Sequence, residues 1–215
     1  MAAENPFETR FREYDAWFEA NKNVFASEVA AVRAVLPDEV PNRSHWVEIG
    51  VGSGRFAAEL GIPVGVEPAD GIAALAEERG IRVLKGVAED LPLDDGSVGT
   101  AFLITSLCFI DDMAGAFAEV ARVLVPGGKA IVAFIPADSP FGRLYETAGE
   151  GDPFFRRAKL RPRRDVIAAL SNAGLRVDRA VHTLTAEPAR ANEDVEPPGD
   201  GWRAGSFVVL RAVKE

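Results

Sequence analysis

From residue 45 to residue 135, short apolar runs closed by glycine or proline alternate with stretches whose apolar positions recur at helical spacing. HWVEIG (45–50), PVGVE (63–67), IRVLKG (81–86), SVGTAFLITSL (97–107) and KAIVAFI (129–135) predict five strands. The fourth is apolar along its whole length, as a central parallel strand covered on both faces should be. Helices are predicted between them: GRFAAEL (54–60), residues 70–79 behind an Asp70 cap, and a helix from an Asp111 or Asp112 cap through Leu124, stopped by Pro126, Gly127 and Gly128. Upstream, Phe11, Tyr14, Trp17, Phe18, Phe25, Val29, Val32 and Val35 predict one or two amphipathic helices over 8–36, stopped at Pro37. Downstream lie a short helix at 139–149, a clearer one at 163–173, and strands at 175–184 and 206–213 separated by a proline- and acid-rich loop, 187–200.

Strands alternating with helices through residue 135 imply a doubly wound, Rossmann-like α/β sheet. The last two strands have no helix between them, so they pair antiparallel and end a mostly parallel sheet with a hairpin. The alternation and the hairpin use nearly the whole chain, so residues 1–215 read as a single domain. Residues 1–40 form a helical lid, 41–135 a ligand-binding core, and 136–215 a substrate-side segment with the hairpin.

Composition narrows the partners. The chain has 215 residues, 47% hydrophobic, and its 33 acidic against 24 basic residues leave a net charge of −9. Such a surface repels phosphate backbones and anionic leaflets, so neither a nucleic acid nor a stable membrane association is expected. One cysteine, Cys108, excludes an internal disulfide framework and a multi-thiolate metal site. No metal is expected. The opening MAAENPFETR has no apolar signal core, and Val98 to Ile110 is too short to cross a bilayer, so the expected compartment is the reducing cytoplasm.

In open α/β sheets, ligands sit at the carboxyl ends of the strands. The first strand ends in Glu48-Ile49-Gly50-Val51-Gly52-Ser53-Gly54, where alternating glycines permit a tight turn and let backbone approach a ligand. The second ends in Glu67, an acid placed to accept hydrogen bonds from a ribose diol. Together they indicate a nucleoside ligand. The spacing is G-x-G-x-G rather than the G-x-G-x-x-G of a dinucleotide site, which would put a glycine where Arg55 stands.

With its preceding acid, that loop resembles motif I of the class I S-adenosylmethionine-dependent methyltransferases. Gly65-Val66-Glu67-Pro68 resembles the family's ribose-binding motif. Val87-Ala88-Glu89-Asp90-Leu91-Pro92-Leu93 resembles the adenine segment of its ubiquinone/menaquinone-biosynthesis-like (type 11) group. Arg122-Val123-Leu124-Val125-Pro126-Gly127-Gly128 resembles that group's turn into strand five. Four motifs in order cover about residues 45–135.

The resemblance implies a seven-stranded fold, S-adenosyl-L-methionine as cofactor, S-adenosyl-L-homocysteine as product, and methyl transfer to a small molecule. By resemblance, Gly50, Gly52 and Gly54, with Val51, line the methionine and ribose portion, while Glu48 supports the loop or the cofactor's amino group. Glu67, beside Pro68, holds the ribose hydroxyls. The Ala88 amide meets the adenine ring and Glu89 its exocyclic amine. Val87 departs from the acid that many relatives carry there. Thr105 and Ser106 border the transferable methyl.

Methyl transfer needs alignment more than acid–base chemistry. His45 and His182 read as structural and no residue stands out as a base, so the catalytic residues stay unassigned. Tyr14, Trp17 and Phe18 form either an aromatic lid or a packed face. Cys108 lies beside the pocket, and Arg143 and Tyr145 are candidates for a polar or anionic substrate group. The basic run 156–164 and the acidic run 193–200 read as solvated faces, with a basic substrate rim as the alternative. The last strand-four residues lack the signature of nucleic-acid base methylation, and one cysteine argues against an arsenite methyltransferase. A non-catalytic cofactor- or partner-binding domain and an NAD(P)-dependent oxidoreductase are the rival readings.

Overall fold

A computed structural model of the chain describes residues 5–37, 43–148 and 151–215. The ends of the expected segments at 1–4, 38–42 and 149–150 lie outside the described residues. The strands are β1 (Trp46–Ile49), β2 (Val64–Val66), β3 (Arg82–Leu84), β4 (Val98–Ile104), β5 (Leu124–Phe134), β6 (Leu175–Thr183), β7 (Gly199–Asp200) and β8 (Phe207–Lys214). They form one eight-stranded sheet in the order β3-β2-β1-β4-β5-β8-β6-β7. The first five are parallel, and β8 runs antiparallel to both β5 and β6. The mostly parallel sheet with a terminal hairpin is therefore observed, with the two-residue β7 as an addition at one edge. The strand order reverses between β1 and β4, the position at which a doubly wound sheet opens a crevice.

The helices are α1 (Pro6–Thr9), α2 (Phe11–Ala20), α3 (Lys22–Ala34), α4 (Arg55–Leu60), α5 (Asp70–Glu78), α6 (Met113–Val123), α7 (Pro140–Ala148) and α8 (Arg163–Asn172). β4 needs its unbroken apolar run because Phe102 and Ile104 pack with α2, α3 and α4, while Ala101 and Leu103 pack with α6 and α8.

Three local expectations need correction. The stretch 8–36 is not one or two helices but part of three, because the chain breaks at Arg10 and at Asn21, whose side-chain amide donates to the Trp17 carbonyl at 2.9 Å. Asp70 does not cap α5. It is the first helical residue and pairs with Lys85 at 2.6 Å, and the free helix amides of Asp70 and Gly71 donate instead to the Glu8 carboxylate of α1 at 3.2 and 2.9 Å. Pro126-Gly127-Gly128 does not stop a helix: α6 ends at Val123, and the three residues form an irregularity inside β5 that shifts its register on β4. Asp112 is the α6 cap, accepting from Ala114 and Gly115 at 3.1 and 3.0 Å.

The N-terminal helices, packed in one apolar cluster with β4 through Phe18, Val29 and Val32, are also fastened by an ionic cluster. Asp15 of α2 receives Arg55 of α4 at 2.7 Å and Arg79, just past α5, at 2.9 Å. Arg79 also donates to the Ser53 carbonyl at 2.7 Å, which ties the cluster to the glycine loop. Partial burial pushes the Asp15 carboxyl up, but hydrogen bonds from Arg55, Ser53 and Arg79 outweigh it and hold the group at about 2. Removing one partner leaves two guanidinium groups short of an acceptor. Asp15→Ala should therefore cost ~2 kcal/mol in urea unfolding, whereas Arg176→Ala, which breaks an exposed 2.7 Å pair with Glu215, should stay within about 0.5 kcal/mol.

Candidate functional site

Two cavities adjoin at the carboxyl ends of β1, β2 and β4, sharing Tyr14, Thr105, Phe109 and Phe154 as walls. The larger, about 640 Å³, runs along the ends of the parallel strands. Its floor depends on a close approach between the turns that follow β1 and β4. Gly50 has φ +72° and carries no Cβ; one added there would sit 2.5 Å from the Ser106 Cβ. The Ser106 hydroxyl donates to the Ile49 carbonyl at 2.8 Å and holds the two turns together. Thr105 itself sits at φ +56°, a left-handed conformation that a β-branched residue adopts at a cost of about 1–3 kcal/mol.

Glu67 closes one side of this cavity. Its carboxylate accepts from the Gly52 and Ala69 amides at 3.0 and 3.1 Å, with lone pairs left over for a ligand. Burial raises its pKa, and the two amides oppose the rise. Glu89 accepts from the Asp111 and Asp112 amides at 3.2 and 3.3 Å, fastening the turn after β3 to the one after β4.

The smaller cavity, about 230 Å³, is an aromatic chamber behind Thr105. Tyr14, Trp17 and Phe18 of α2, Phe141 and Tyr145 of α7, and Phe56, Phe154 and Phe155 line it. The rings interlock: Tyr14 meets Phe18 edge-on at 5.8 Å, and Tyr145 stacks on Phe155 at 4.4 Å. Desolvation pushes the Cys108 thiol up to about 12 and raises both tyrosine hydroxyls, so all three stay protonated at neutral pH. Among the acids on its wall is Glu28 of α3, 3% exposed and raised by burial to about 8.

The sequence model of a family described as "Methyltransferase domain" matches residues 47–132. A solved structure from Thermotoga maritima, described as a SAM-dependent methyltransferase and possible histamine N-methyltransferase, is 38% identical and covers 97% of this chain and 98% of its own, with a TM-score of 0.90. The chain belongs to the S-adenosylmethionine-dependent methyltransferases. Uncharacterized proteins of Methanocaldococcus jannaschii (33% identical, covering 98% of this chain and 99% of theirs) and Mycobacterium tuberculosis (34%, covering 94% and 71%) are similar over nearly the whole chain.

Of the residues that the methyltransferase resemblance assigns to the cofactor, Gly50, Gly52, Glu67, Pro68, Val87, Ala88, Glu89, Thr105 and Ser106 line the larger cavity. Glu48, Val51 and Gly54 do not. Glu48 is 2% exposed beneath the loop with Oε2 unpaired, and burial raises its carboxyl well above the usual range. Val51 fills the space over Gly65, and Gly54 exists for packing, since a Cβ there would strike Ile81 and Ala76. Tyr14, Trp17, Phe18, Cys108 and Tyr145 line the chamber, whereas Arg143 is exposed and turns back to the Asp138 carbonyl at 3.3 Å.

The basic and acidic runs find partners outside one another. Lys159 pairs with Asp111 and Arg163 with Asp138, while Glu193 pairs with Arg190. Arg156, Arg157 and Lys159 reach the wall of the larger cavity. His45 is exposed ahead of β1, and His182 Nδ1 lies 3.0 Å from the Gly201 carbonyl. Among the described residues no cluster of three His, Cys, Asp or Glu could hold a metal, and no helix is long and apolar enough to cross a membrane.

Sequence reasoning passed over Glu28, although its signal was present: a charge in the middle of the apolar stripe Val24, Ala31, Val32 and Val35. Its raised pKa has a thermodynamic consequence. Between about 4.5, the unfolded value, and about 8, the folded state holds a proton that the unfolded state has released, so the group's contribution to stability falls as pH rises across that window. Glu28→Gln should be near neutral at pH 5 and stabilise the methyltransferase by ~3 kcal/mol at pH 9, read as Tm across a pH series. Parallel Tm profiles for the two proteins would contradict this.

Proposed function

We propose that this methyltransferase transfers the methyl group of S-adenosyl-L-methionine to a small-molecule acceptor seated in the aromatic chamber, with residues 1–215 acting as one cytoplasmic domain. The observation that carries the reading is the pair of adjoining cavities, one walled by the glycine loop and Glu67, the other by aromatic rings, with Thr105 in both. The larger cavity has the size typical of cofactor sites, and the missing Cβ of Gly50 keeps backbone on its floor. When bound, the sulfonium cofactor supplies an electrophilic methyl group for in-line displacement.

The chain's own groups would hold and orient it. Glu67 receives the ribose hydroxyls on its free lone pairs, the Ala88 segment meets the adenine, and Thr105 and Ser106 border the methyl. The interlocked rings exclude water from the acceptor side. With Cys108, Tyr14 and Tyr145 all held protonated, the chamber offers no thiolate or phenolate, and the rate enhancement is ascribed to positioning. The small acceptor is supported by the chamber's volume and by the small amine for which the Thermotoga maritima methyltransferase is described. A non-catalytic cofactor-binding role is the rival.

Calorimetry with S-adenosylhomocysteine should show micromolar binding, weakened at least tenfold by Glu67→Ala, with no heat from NADH. Absence of S-adenosylhomocysteine binding, or NADH binding in its place, would remove the reading. A labelled-methyl screen of amines, phenols, thiols and quinol precursors that gave no product would favour the non-catalytic role.

A further inference from the structure

Glu28 is an anomaly in the helix that carries it. Positions 24, 31, 32 and 35 of the same stripe are apolar and buried, so an apolar residue at 28 would complete the packing. The chain instead places a carboxyl there, 3% exposed, with no hydrogen bond or ion pair to any described group. Burying an unpaired carboxyl is costly, and no described residue offsets that cost. Its carboxyl belongs to the wall of the aromatic chamber and stands near enough to the Tyr14 and Tyr145 hydroxyls for its charge to raise both.

The chamber's other acids are already engaged: exposed Glu13 pairs with Arg10 at 2.7 Å, which leaves Glu28 as the carboxyl without a partner. Glu13 of α2 and Asp152 also line it, and Asp152 accepts from the Phe154 and Phe155 amides at 2.8 and 3.1 Å. Among the described residues the single cation on the wall is Arg161, whose Nη2 is directed at the Ile110 and Asp111 carbonyls at 3.1 and 3.4 Å. Aromatic faces attract cations, and a carboxylate at the base of an aromatic pocket supplies the countercharge.

We propose that the acceptor is a small amine, held through its ammonium group by Glu28 among the rings of Tyr14, Trp17, Phe18 and Tyr145. The ammonium gives a proton to the Glu28 carboxylate, and the freed nitrogen lone pair forms the N–CH3 bond as the S–CH3 bond of the sulfonium breaks, leaving S-adenosylhomocysteine. The proposal rests on the methyltransferase reading and names its substrate class. Glu28 acts here as the specificity-determining contact. An ammonium group gives the buried acid the cation that the fold withholds, and the surrounding rings suit the same charge. A neutral alcohol of the same shape can share a hydrogen bond with the carboxyl but brings no cation to it, and neither does a carboxylate.

The experiment is calorimetry on full-length protein first saturated with S-adenosylhomocysteine, then titrated with 2-phenylethylamine, tryptamine and cyclohexylmethylamine, each beside the corresponding alcohol, and with phenylacetate. At least one amine should bind tenfold or more tighter than its alcohol. Glu28→Gln should remove that preference while leaving alcohol and S-adenosylhomocysteine binding unchanged, and Glu28→Leu, which completes the apolar stripe, should behave the same way. Equal binding of amines and alcohols, tighter binding of phenylacetate, binding of none of the probes, or an amine preference that survives in both variants would overturn the proposal. Failure at the first step, S-adenosylhomocysteine binding, would instead remove the methyltransferase reading itself.

Discussion

The geometry of both cavities depends on one ionic junction, Asp15 held between Arg55 and Arg79. Arg55 opens α4 directly after the glycine loop, and Arg79 is the residue that follows α5. One carboxylate on α2 therefore fastens that helix to both α4 and the end of α5. Tyr14, one residue before Asp15, becomes a shared wall of both cavities, and Trp17 and Phe18, on the next half-turn, become walls of the chamber. Glu8 adds a second fastening by capping α5. These contacts add to the apolar packing of Phe18, Val29 and Val32 with β4, which also holds α2 and α3.

The parallel half of the fold was legible because its determinants are local. Apolar runs of strand length, glycine punctuation and an acid at the end of β2 lie within a few residues of the structure they specify. The terminal hairpin followed from the absence of a helix between two strands, and β8 pairs with both β5 and β6 accordingly. Misreadings occurred where a distant residue replaced the local candidate. Glu8 caps α5 across more than sixty positions of sequence in place of Asp70. Pro126-Gly127-Gly128 reads locally as a helix stop, yet β4 offers those residues a strand partner and they become an irregularity within β5. In the site, Gly50 and Glu67 line the larger cavity as their motifs implied, but Gly54 serves the packing of α5, because the motif's spacing does not reveal what a Cβ would strike.

Net charge misleads in the same way. The −9 balance argues against polyanionic partners in general, yet Arg156, Arg157 and Lys159 stand at the wall of the larger cavity while acids stand in the chamber. What a ligand meets is the local arrangement. The basic run supplies a rim at one cavity and, through Lys159 with Asp111 and Arg161 with the Ile110 carbonyl, fastens the segment before α8 to the turn after β4.

Two carboxyls, one partly and one fully buried, show how that local arrangement divides structure from ligand recognition. Asp15 and Glu28 lie on adjacent helices and both lose water on folding. Asp15 is answered by two guanidinium groups and falls to about 2; Glu28 is answered by none among the described residues and rises to about 8. If Glu28 were merely structural, a partner like Arg55 would be expected beside it, since a buried acid without a cation weakens the fold at neutral pH and above. No described residue supplies that partner, while Glu28 lines a cavity walled by aromatic rings. A destabilised group lining an otherwise well-packed chamber is the pattern expected where a ligand completes the charge balance. The cost that Glu28 imposes on the empty protein is offset when a cation occupies the chamber.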